Sequence, residues 1–219
     1  MGEALIELVD IHFSYGERNL LKGINLRLAY GDKIGITGPN GAGKTTLAEI
    51  MMGFIRPQRG EILFKGRRIE SEDDFYELRT KIGYVFQDPD DQLFCPTVFE
   101  DLAFGPLNLG LRGRELEDRV NGVLKTLGIS HLKDKLTYKL SGGEKRIVSI
   151  GAVLAMDPEG LILDEPLNGL DEEFSRRVEA IIRDVDRPLI VIAHDFSFLR
   201  RVCGKVFKLE GGRLEEFHL

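Results

Sequence analysis

The chain has 219 residues, of which 42% are hydrophobic and 30% charged, and its formal net charge is −6. This length and balance suit one soluble α/β domain, or a core with a small appended lobe. Nothing in this acidic balance indicates nucleic acid or anionic lipid as a partner, although a local basic patch would be compatible with it. The sequence shows neither an N-terminal signal pattern nor an apolar run of membrane-spanning length, so we expect membrane contact to be indirect. Cys95 and Cys203 lack metal-ligand spacing, which favours reduced thiols in a cytoplasmic protein.

The first segments predict antiparallel strands. Residues 4–13 have a mixed apolar pattern, and over residues 24–28 apolar positions alternate with polar ones, as in a half-buried strand. An antiparallel hairpin is therefore expected ahead of residue 34. Tyr15 stands at its turn, where it is either a loop-packing aromatic or a stacking platform for a nucleobase.

A glycine-rich stretch follows a short apolar strand at 34–37 and precedes a helix at 47–52. Its spacing is that of a phosphate-binding loop, whose backbone N–H groups surround a nucleotide's phosphates. Lysine supplies a charge for the terminal phosphates and threonine a hydroxyl for Mg²⁺. The alternative is a chance glycine turn. The predicted nucleotide-binding residues are Gly38, Pro39, Asn40, Gly41, Ala42, Gly43, Lys44, Thr45 and Thr46.

The middle of the chain changes texture twice. Residues 81–86 predict a buried strand that ends at Gln87, and residues 88–96 lack periodicity and predict a loop. A residue at the carboxyl end of a parallel strand stands where open α/β sheets bind ligands, although a structural role for Gln87 is the simpler interpretation. Residues 98–138 then predict a small helical lobe inserted between strands.

Residues 140–144 open an apolar helix. Ser141 as N-cap with Glu144 three residues later is a capping box, which is the structural interpretation. Gly142 and Gly143 nevertheless occupy the first turn, where consecutive glycines destabilise a helix unless something must approach its backbone. A second anion site is the alternative interpretation.

The last third of the chain places polar residues after buried strands. Residues 160–165 end in Asp164, which suits Mg²⁺ coordination, and in Glu165, a candidate base for an attacking water. A merely solvated acid pair is the alternative. Asp171 begins the next helix, and the simple interpretation of this residue is a helix N-cap. His194 follows an apolar strand, where it either satisfies a core hydrogen bond or contacts a terminal phosphate or water.

Together these segments resemble the ATP-binding subunits of ABC transporters over nearly the whole chain. The motifs occur in the family's order: Walker A at 38–46, the Q-loop at Gln87, the signature at 140–144, Walker B with the catalytic glutamate at 161–165, the D-loop at 168–171 and the switch histidine at His194. The resemblance implies an α/β P-loop NTPase of the ABC type. Its mostly parallel core sheet would carry an N-terminal antiparallel β subdomain and an inserted α-helical subdomain. One domain would span 1–219, with 1–87 and 141–219 as the core and 88–140 as the Q-loop and helical subdomain.

The resemblance further implies a Mg²⁺-dependent ATPase with ATP and Mg²⁺ as cofactors. Two subunits, identical or paralogous, would face each other head to tail. The signature residues Ser141, Gly142, Gly143 and Glu144 of one subunit would then contact the ATP bound by the other. The family's roles fall on Glu165, His194, Gln87 and Lys44 as catalytic residues, Thr45, Gln87 and Asp164 as metal-holding residues, Asp171 in the D-loop, and Tyr15 as the aromatic that stacks on adenine.

Within the family, residues 87–94, 96–98 and 101–110 resemble the energy-coupling-factor importers of cobalt, nickel and vitamins. The implied partners are a transmembrane scaffold, whose coupling helices enter a groove by the Q-loop, and a small substrate-binding membrane subunit. The chain would lie peripherally on the cytoplasmic face of the cell membrane. Leu93 and Phe94 would suit the scaffold contact if exposed, or would pack into their own lobe. The sequence does not identify the substrate, which never touches the ATPase in this design.

Three features depart from the family pattern, and three rival functions remain. Leu167 stands where a small hydroxyl residue is usual, and Glu144 replaces the commoner glutamine. The chain ends soon after its last strand, so we expect dimerisation without nucleotide to be less assured. Conventional ABC import or export is one rival. ABC-type ATPases of DNA repair or chromosome organisation insert long coiled-coil arms, whereas this insert is short. A non-hydrolysing module is disfavoured by the intact catalytic residues.

Overall fold

A computed structural model describes residues 3–217. The strands are β1 (Ala4–Tyr15), β2 (Arg18–Ala29), β3 (Lys33–Thr37), β4 (Arg59–Phe64), β5 (Arg67–Arg68), β6 (Ile82–Val85), β7 (Gly160–Asp164), β8 (Leu189–Ile192), β9 (Lys205–Glu210) and β10 (Arg213–Glu216). The helices are α1 (Lys44–Met51), α2 (Glu72–Lys81), α3 (Val98–Asn108), α4 (Gly113–Thr126), α5 (Gly142–Ala155), α6 (Glu172–Asp184) and α7 (Phe196–Val202). Within residues 3–217, no helix is long and apolar enough to cross a bilayer.

The N-terminal strands form an antiparallel sheet in the order β2-β1-β4-β5. Its apolar face alternates as the sequence predicts, with Leu8 opposite Leu26 and both side chains buried. The β1–β2 turn is short, because strand pairing continues to Tyr15 and Arg18. The predicted antiparallel subdomain is confirmed, and its hairpin tip carries Tyr15.

The larger sheet has six strands in the order β10-β9-β3-β8-β7-β6. Every neighbouring pair is parallel except β9 and β10, so the predicted mostly parallel core sheet is confirmed. Ile36, Ile192 and Asp164 are successive register partners across β3, β8 and β7. The carboxyl ends of these strands therefore lie side by side, and the segments that follow them share one edge of the sheet.

The helical lobe packs as an amphipathic layer. Leu116, Val120 and Leu124 of α4 are buried, as the helical spacing predicts, and α3 begins with a capping box at Thr97. Helix α5 packs against both α3 and α4, so the layer includes a helix beyond residue 140. The domain ranges 1–87, 88–140 and 141–219 stay a prediction.

In the loop before α3, the adjacent residues Leu93 and Phe94 differ in burial. Leu93 is half-buried and packs against the helical core. Phe94 is 66% exposed, and its ring meets that of Phe104 in an edge-to-face contact with centroids 4.7 Å apart. Of the two alternatives, Leu93 therefore follows the packed one and Phe94 the exposed one, and the exposed pair on this surface is Phe94 and Phe104.

Close packing joins the parallel sheet to the helical lobe at Gly83 of β6. A Cβ atom added there would lie 2.2 Å from Val153 Cγ1 of α5 and 3.0 Å from Leu161 Cδ2 of β7. Gly122 of α4 offers the opposite case, because a Cβ atom there would meet no neighbouring atom within 4 Å. Gly83 therefore tests the packing between the sheet and the lobe, and Gly122 is the control position without such packing.

We expect Gly83→Ala to lower the free energy of unfolding by about 1–3 kcal/mol, because the added methyl group overpacks the β6–α5 contact. Gly122→Ala should raise it by about 0.5–1 kcal/mol, since alanine has the better helix propensity at an exposed helical site. Urea unfolding of both variants and the parent measures these changes. Equal stability of Gly83→Ala and the parent would contradict the close contact at Gly83.

Candidate active site

The phosphate-binding loop lies between β3 and α1, at the carboxyl edge of the larger sheet. Gly43 caps α1 in a left-handed conformation with φ 103°, which disfavours other residues, and a Cβ atom there would lie 2.9 Å from Leu20. Lys44 is buried, and its Nζ donates to the carbonyl oxygens of Gly38 at 2.8 Å and Pro39 at 3.3 Å. The ammonium group is thus held over the loop, where phosphate oxygens would be better acceptors than these carbonyls.

A cleft of about 430 Å³ joins this loop to the tip of the β1–β2 hairpin. Its lining includes Tyr15, Arg18, Lys44, Thr45 and Glu165. The Tyr15 side chain is 53% exposed and rests edge-on against the Phe13 ring, with centroids 4.8 Å apart. Tyr15 therefore packs on its own strand and also borders the cleft, so its two predicted roles are geometrically compatible.

Asp164 is the last residue of β7 and is fully buried. Its Oδ2 accepts a hydrogen bond of 3.3 Å from the Tyr84 hydroxyl, whereas its Oδ1 has no hydrogen-bond partner within residues 3–217. Burial raises the pKa of this carboxyl, and the side chains of Thr45 and Tyr84 oppose that rise. An unpartnered buried carboxylate oxygen is costly unless a cation or another donor reaches it.

The three predicted metal-holding residues share one cavity. Thr45, Gln87 and Asp164 all line a space of about 530 Å³ beside the phosphate-binding loop. Hydroxyl, amide and carboxylate oxygens are the donor set that Mg²⁺ prefers. The residues present therefore fit a magnesium ion, and Asp164 Oδ1 is the oxygen whose bonding it would complete.

Glu165 and His194 meet although they follow different strands. Glu165 Oε2 lies 2.9 Å from His194 Nδ1, and the Glu165 N–H donates to Ile192 O at 2.8 Å. Glu165 has a left-handed backbone, with φ 44°, which is strained for a residue with a side chain. Both side chains line a cavity of about 430 Å³ together with Gly38, Pro39 and Gln87. This cavity leaves room for water between the carboxylate and the loop.

The signature residues 140–144 show the predicted capping box. The Glu144 N–H donates to Ser141 Oγ, and the Ser141 N–H donates to Glu144 Oε2 at 2.7 Å. Lys135 Nζ also contacts both Glu144 oxygens, at 2.9 and 2.8 Å. Burial alone would raise the pKa of Glu144, but Lys135 and the Ser141 N–H hold it below its usual value. The departure from glutamine is therefore matched by a partner cation.

The two signature glycines have different surroundings. A Cβ atom added to Gly143 would lie 2.2 Å from the Phe174 ring, whereas one added to Gly142 would meet no neighbouring atom within 4 Å. Gly142 is exposed and Gly143 is buried. Close packing against α6 thus accounts for the second glycine, and an open backbone surface surrounds the first.

One chain does not bring all the predicted residues together. Within residues 3–217, Ser141, Gly142 and Gly143 line none of the three cavities around the phosphate-binding loop. Asp171 lines none of them either, and its carboxylate caps α6 by accepting from the Phe174 N–H at 2.9 Å. Leu167 packs against the helical core without entering a cavity around the loop.

Sequence reasoning missed several residues that support the site. The sequence predicts Tyr84 only as part of a strand, yet its hydroxyl contacts Asp164. Glu49 of α1 lines the cavity that also contains Thr45 and Asp164. Arg146 is almost completely buried and donates to the carbonyls of Phe86 at 2.7 Å and Gln87 at 2.5 Å. The available signal was an arginine beside the apolar run of α5, where a charge needs partners.

Comparison with known proteins identifies the family of the chain. Residues 21–168 match the family model for ABC transporters. A Brucella suis protein, named provisionally as an ABC transporter ATP-binding protein, is 46% identical over 96% of this chain and 87% of its own length. The energy-coupling factor transporter ATP-binding protein EcfA of Methanothermobacter thermautotrophicus is 42% identical, covering 96% of this chain and 69% of its own.

A solved structure agrees with these sequence matches. Clostridium perfringens CbiO1, part of the ABC transporter complex CbiONQ, superposes with a TM-score of 0.88 at 38% identity, over 97% of this chain and 87% of that one. The predicted ABC-type P-loop fold is thereby confirmed. Because the family model spans more than half of the sequence and these relatives cover nearly all of it, the chain belongs to the family of ABC transporter ATP-binding proteins.

Proposed function

We propose that this chain binds and hydrolyses ATP with Mg²⁺ and so powers import by an energy-coupling-factor transporter. The observation that carries the ATPase proposal is the convergence of Lys44, the unpartnered Asp164 oxygen and the Glu165–His194 pair on one sheet edge. The similarity to EcfA and CbiO1 supports the narrower assignment to this transporter class. Conventional ABC import or export remains the second candidate.

The nucleotide lies along the cleft between the hairpin tip and the phosphate-binding loop. The Tyr15 ring stacks on the base at the hairpin tip, and the N–H groups of the loop and of α1 bind the phosphates. Lys44 exchanges the carbonyls of Gly38 and Pro39 for phosphate oxygens. The exchange is favourable because a charged acceptor forms the stronger hydrogen bond.

Thr45, Gln87 and Asp164 would hold the magnesium ion in the larger cavity. A magnesium ion held there would supply positive charge beside the outer phosphates. Tyr84 donates to one Asp164 oxygen and leaves the other for the cation. Arg146 fixes the backbone that precedes and includes Gln87, which positions the amide side chain at the rim of the cavity.

Hydrolysis takes place in the cavity that Glu165 and His194 line together. Glu165 orients a water molecule and accepts its proton while the water oxygen attacks the terminal phosphorus, and ADP leaves with the electrons of the broken P–O bond. His194 holds the Glu165 carboxylate from its exposed side and faces the terminal phosphate. Together the pair supplies a fixed base and a polar contact that excludes other water orientations.

A second ATPase subunit completes each site. Ser141 and Gly142 are exposed, away from the chain's own phosphate-binding loop, so a head-to-tail partner can present its signature helix to that loop. The partner is a second copy or a paralogue. A DNA-repair function is disfavoured because the helices between Gln87 and the signature, α3 and α4, have only 11 and 14 residues.

The membrane partner docks near Gln87. Phe94 and Phe104 form an exposed aromatic pair on the loop and helix that follow Gln87 in the chain. Exposed aromatic residues of this kind favour a protein contact. We assign this surface to a transmembrane scaffold subunit, with a small membrane subunit binding the substrate and the ATPase on the cytoplasmic face.

We expect Glu165→Gln to retain ATP binding and to slow hydrolysis about 100- to 10,000-fold, because glutamine keeps the shape of the side chain but cannot accept the proton. Phosphate release and nucleotide affinity are measured on the same preparation. Light scattering should show an ATP-dependent dimer of the variant that persists longer than that of the parent. Unchanged phosphate release would remove Glu165 from the role of base.

We expect Tyr15→Ala to weaken ATP binding roughly three- to tenfold, since stacking contributes about 0.5–1.5 kcal/mol. Tyr15→Phe is the matched control, because it keeps the ring and the contact with Phe13 and should bind as the parent does. Fluorescence titration with ATP measures both. If Tyr15→Ala binds ATP as tightly as Tyr15→Phe, the stacking role is wrong.

The transporter proposal is tested by affinity capture from detergent-solubilised native membranes, followed by mass spectrometry. The parent should recover integral membrane proteins, of which the smallest is the lead to the substrate. Phe94→Ser should lose them because it removes an exposed ring. Tyr76→Ser, which removes a ring of similar exposure on α2, should retain them. Recovery of only soluble or DNA-associated proteins by the parent would overturn the transport function and leave the ATPase function standing.

A further inference from the structure

Arg18 stands beside Tyr15, the proposed stacking residue for the base, and lines the same cleft. It is the first residue of β2 and the direct cross-strand partner of Tyr15, the last residue of β1. Directly opposed residues of an antiparallel pair project from the same face of the sheet. The Tyr15 ring and the Arg18 guanidinium therefore both extend toward the cleft from the hairpin tip, and both line it.

The guanidinium group already touches the phosphate-binding loop. Arg18 Nη2 donates to the carbonyl oxygen of Gly41 at 2.7 Å, which spans the mouth of the cleft from hairpin to loop. Within residues 3–217, no carboxylate lies within ion-pair distance of Arg18. Arg18 and Lys44 are the two cations of the cleft lining, and Arg18 is the exposed one.

An exposed arginine bound only to a neutral carbonyl retains most of its binding capacity. A guanidinium has five N–H donors in a planar fork that matches phosphate oxygens, and it is weakly hydrated for a cation. A phosphate oxygen forms a stronger hydrogen bond with it than the Gly41 carbonyl does. The position of Arg18 over a phosphate-binding loop makes a nucleotide phosphate the acceptor to expect.

The two cations stand at different places along the loop, and this distinguishes their targets. Lys44 Nζ contacts Gly38 and Pro39 at the start of the loop, where the Glu165 cavity begins. Arg18 contacts Gly41, further along the loop and next to Tyr15. Since the base end of a nucleotide lies at Tyr15 and the reacting end at Glu165, the phosphate nearest Arg18 is the one attached to the sugar.

We propose that Arg18 is a nucleotide-binding residue that contacts the sugar-linked phosphate and so distinguishes phosphorylated nucleotides from free nucleosides. The proposal rests on the proposed nucleotide function. It assigns Arg18 to binding and not to the chemical step, because the side chain bonds to Gly41 beside Tyr15, whereas the Glu165–His194 pair also lines the separate cavity with Gly38 and Pro39. The contact would be shared by ATP, ADP and AMP.

The test compares Arg18→Gln, Arg18→Lys and the parent in competition titrations with ATP, ADP, AMP and adenosine against a fluorescent ATP analogue. Glutamine removes the charge but keeps a donor for the Gly41 carbonyl, so the loop retains a partner. Lys22→Gln is the matched control: Lys22 lies on the same strand and donates to the carbonyl of Gly211 at 3.0 Å, outside the cleft. Thermal unfolding confirms that all variants fold.

We expect Arg18→Gln to weaken ATP, ADP and AMP alike by about five- to tenfold, with adenosine affinity unchanged. Arg18→Lys should fall between, because it keeps the charge and loses the fork. The salt dependence of AMP binding should flatten in Arg18→Gln. Lys22→Gln should match the parent with every ligand.

Three results would overturn the proposal: equal affinities of Arg18→Gln and the parent for all three nucleotides, an equal loss with adenosine, or a loss confined to ATP. The first removes the contact, the second shows a distorted cleft, and the third moves Arg18 to the terminal phosphates. If the parent and Lys22→Gln bind no nucleotide at all, the proposed function itself fails, and the Arg18 proposal fails with it.

Discussion

Parallel hydrogen bonding in the larger sheet aligns Ile36, Ile192 and Asp164 across three neighbouring strands. The fourth strand, β6, pairs with β7 in the same direction and ends two residues before Gln87. Because each strand ends at the same edge, the phosphate-binding loop, His194, the acid pair and Gln87 are brought together from four distant parts of the chain. The site depends on this register, since a shift of one residue in the strand pairing would turn the side chains of that strand to the opposite face of the sheet.

Two charged side chains of the empty site, Asp164 and Lys44, lack the charged partners that a bound ligand would supply. Asp164 is fully buried with one oxygen unpartnered, and Lys44 is bonded to the carbonyls of its own loop. Each group is held where its best partner would come from outside the chain. Preorganisation of this kind costs stability in the empty protein and lowers the reorganisation needed when nucleotide and cation arrive.

Local patterns allowed most of the fold and most of the site to be predicted. The phosphate-binding loop, the capping box at Ser141 and the polar residues after buried strands are all contained in short sequence windows. The Tyr84–Asp164 contact joins positions 80 residues apart, and Arg146 meets Phe86 from 60 residues away. Such pairs follow from strand order and helix packing, which no single window contains. Leu93 was ambiguous for the same reason, because its burial depends on the helices packed over its loop.

Gly142 and Gly143 are adjacent, yet the structure subjects them to separate demands. Gly143 faces the Phe174 ring of the same chain, so a side chain there would destabilise the fold of the single subunit. Gly142 faces open space, so a small side chain there meets nothing until another surface docks. Natural variation at these neighbouring positions would consequently arise by different routes. A side chain at Gly142 requires a docking surface that leaves room for it. A side chain at Gly143 requires a compensating change in α6 of the same chain.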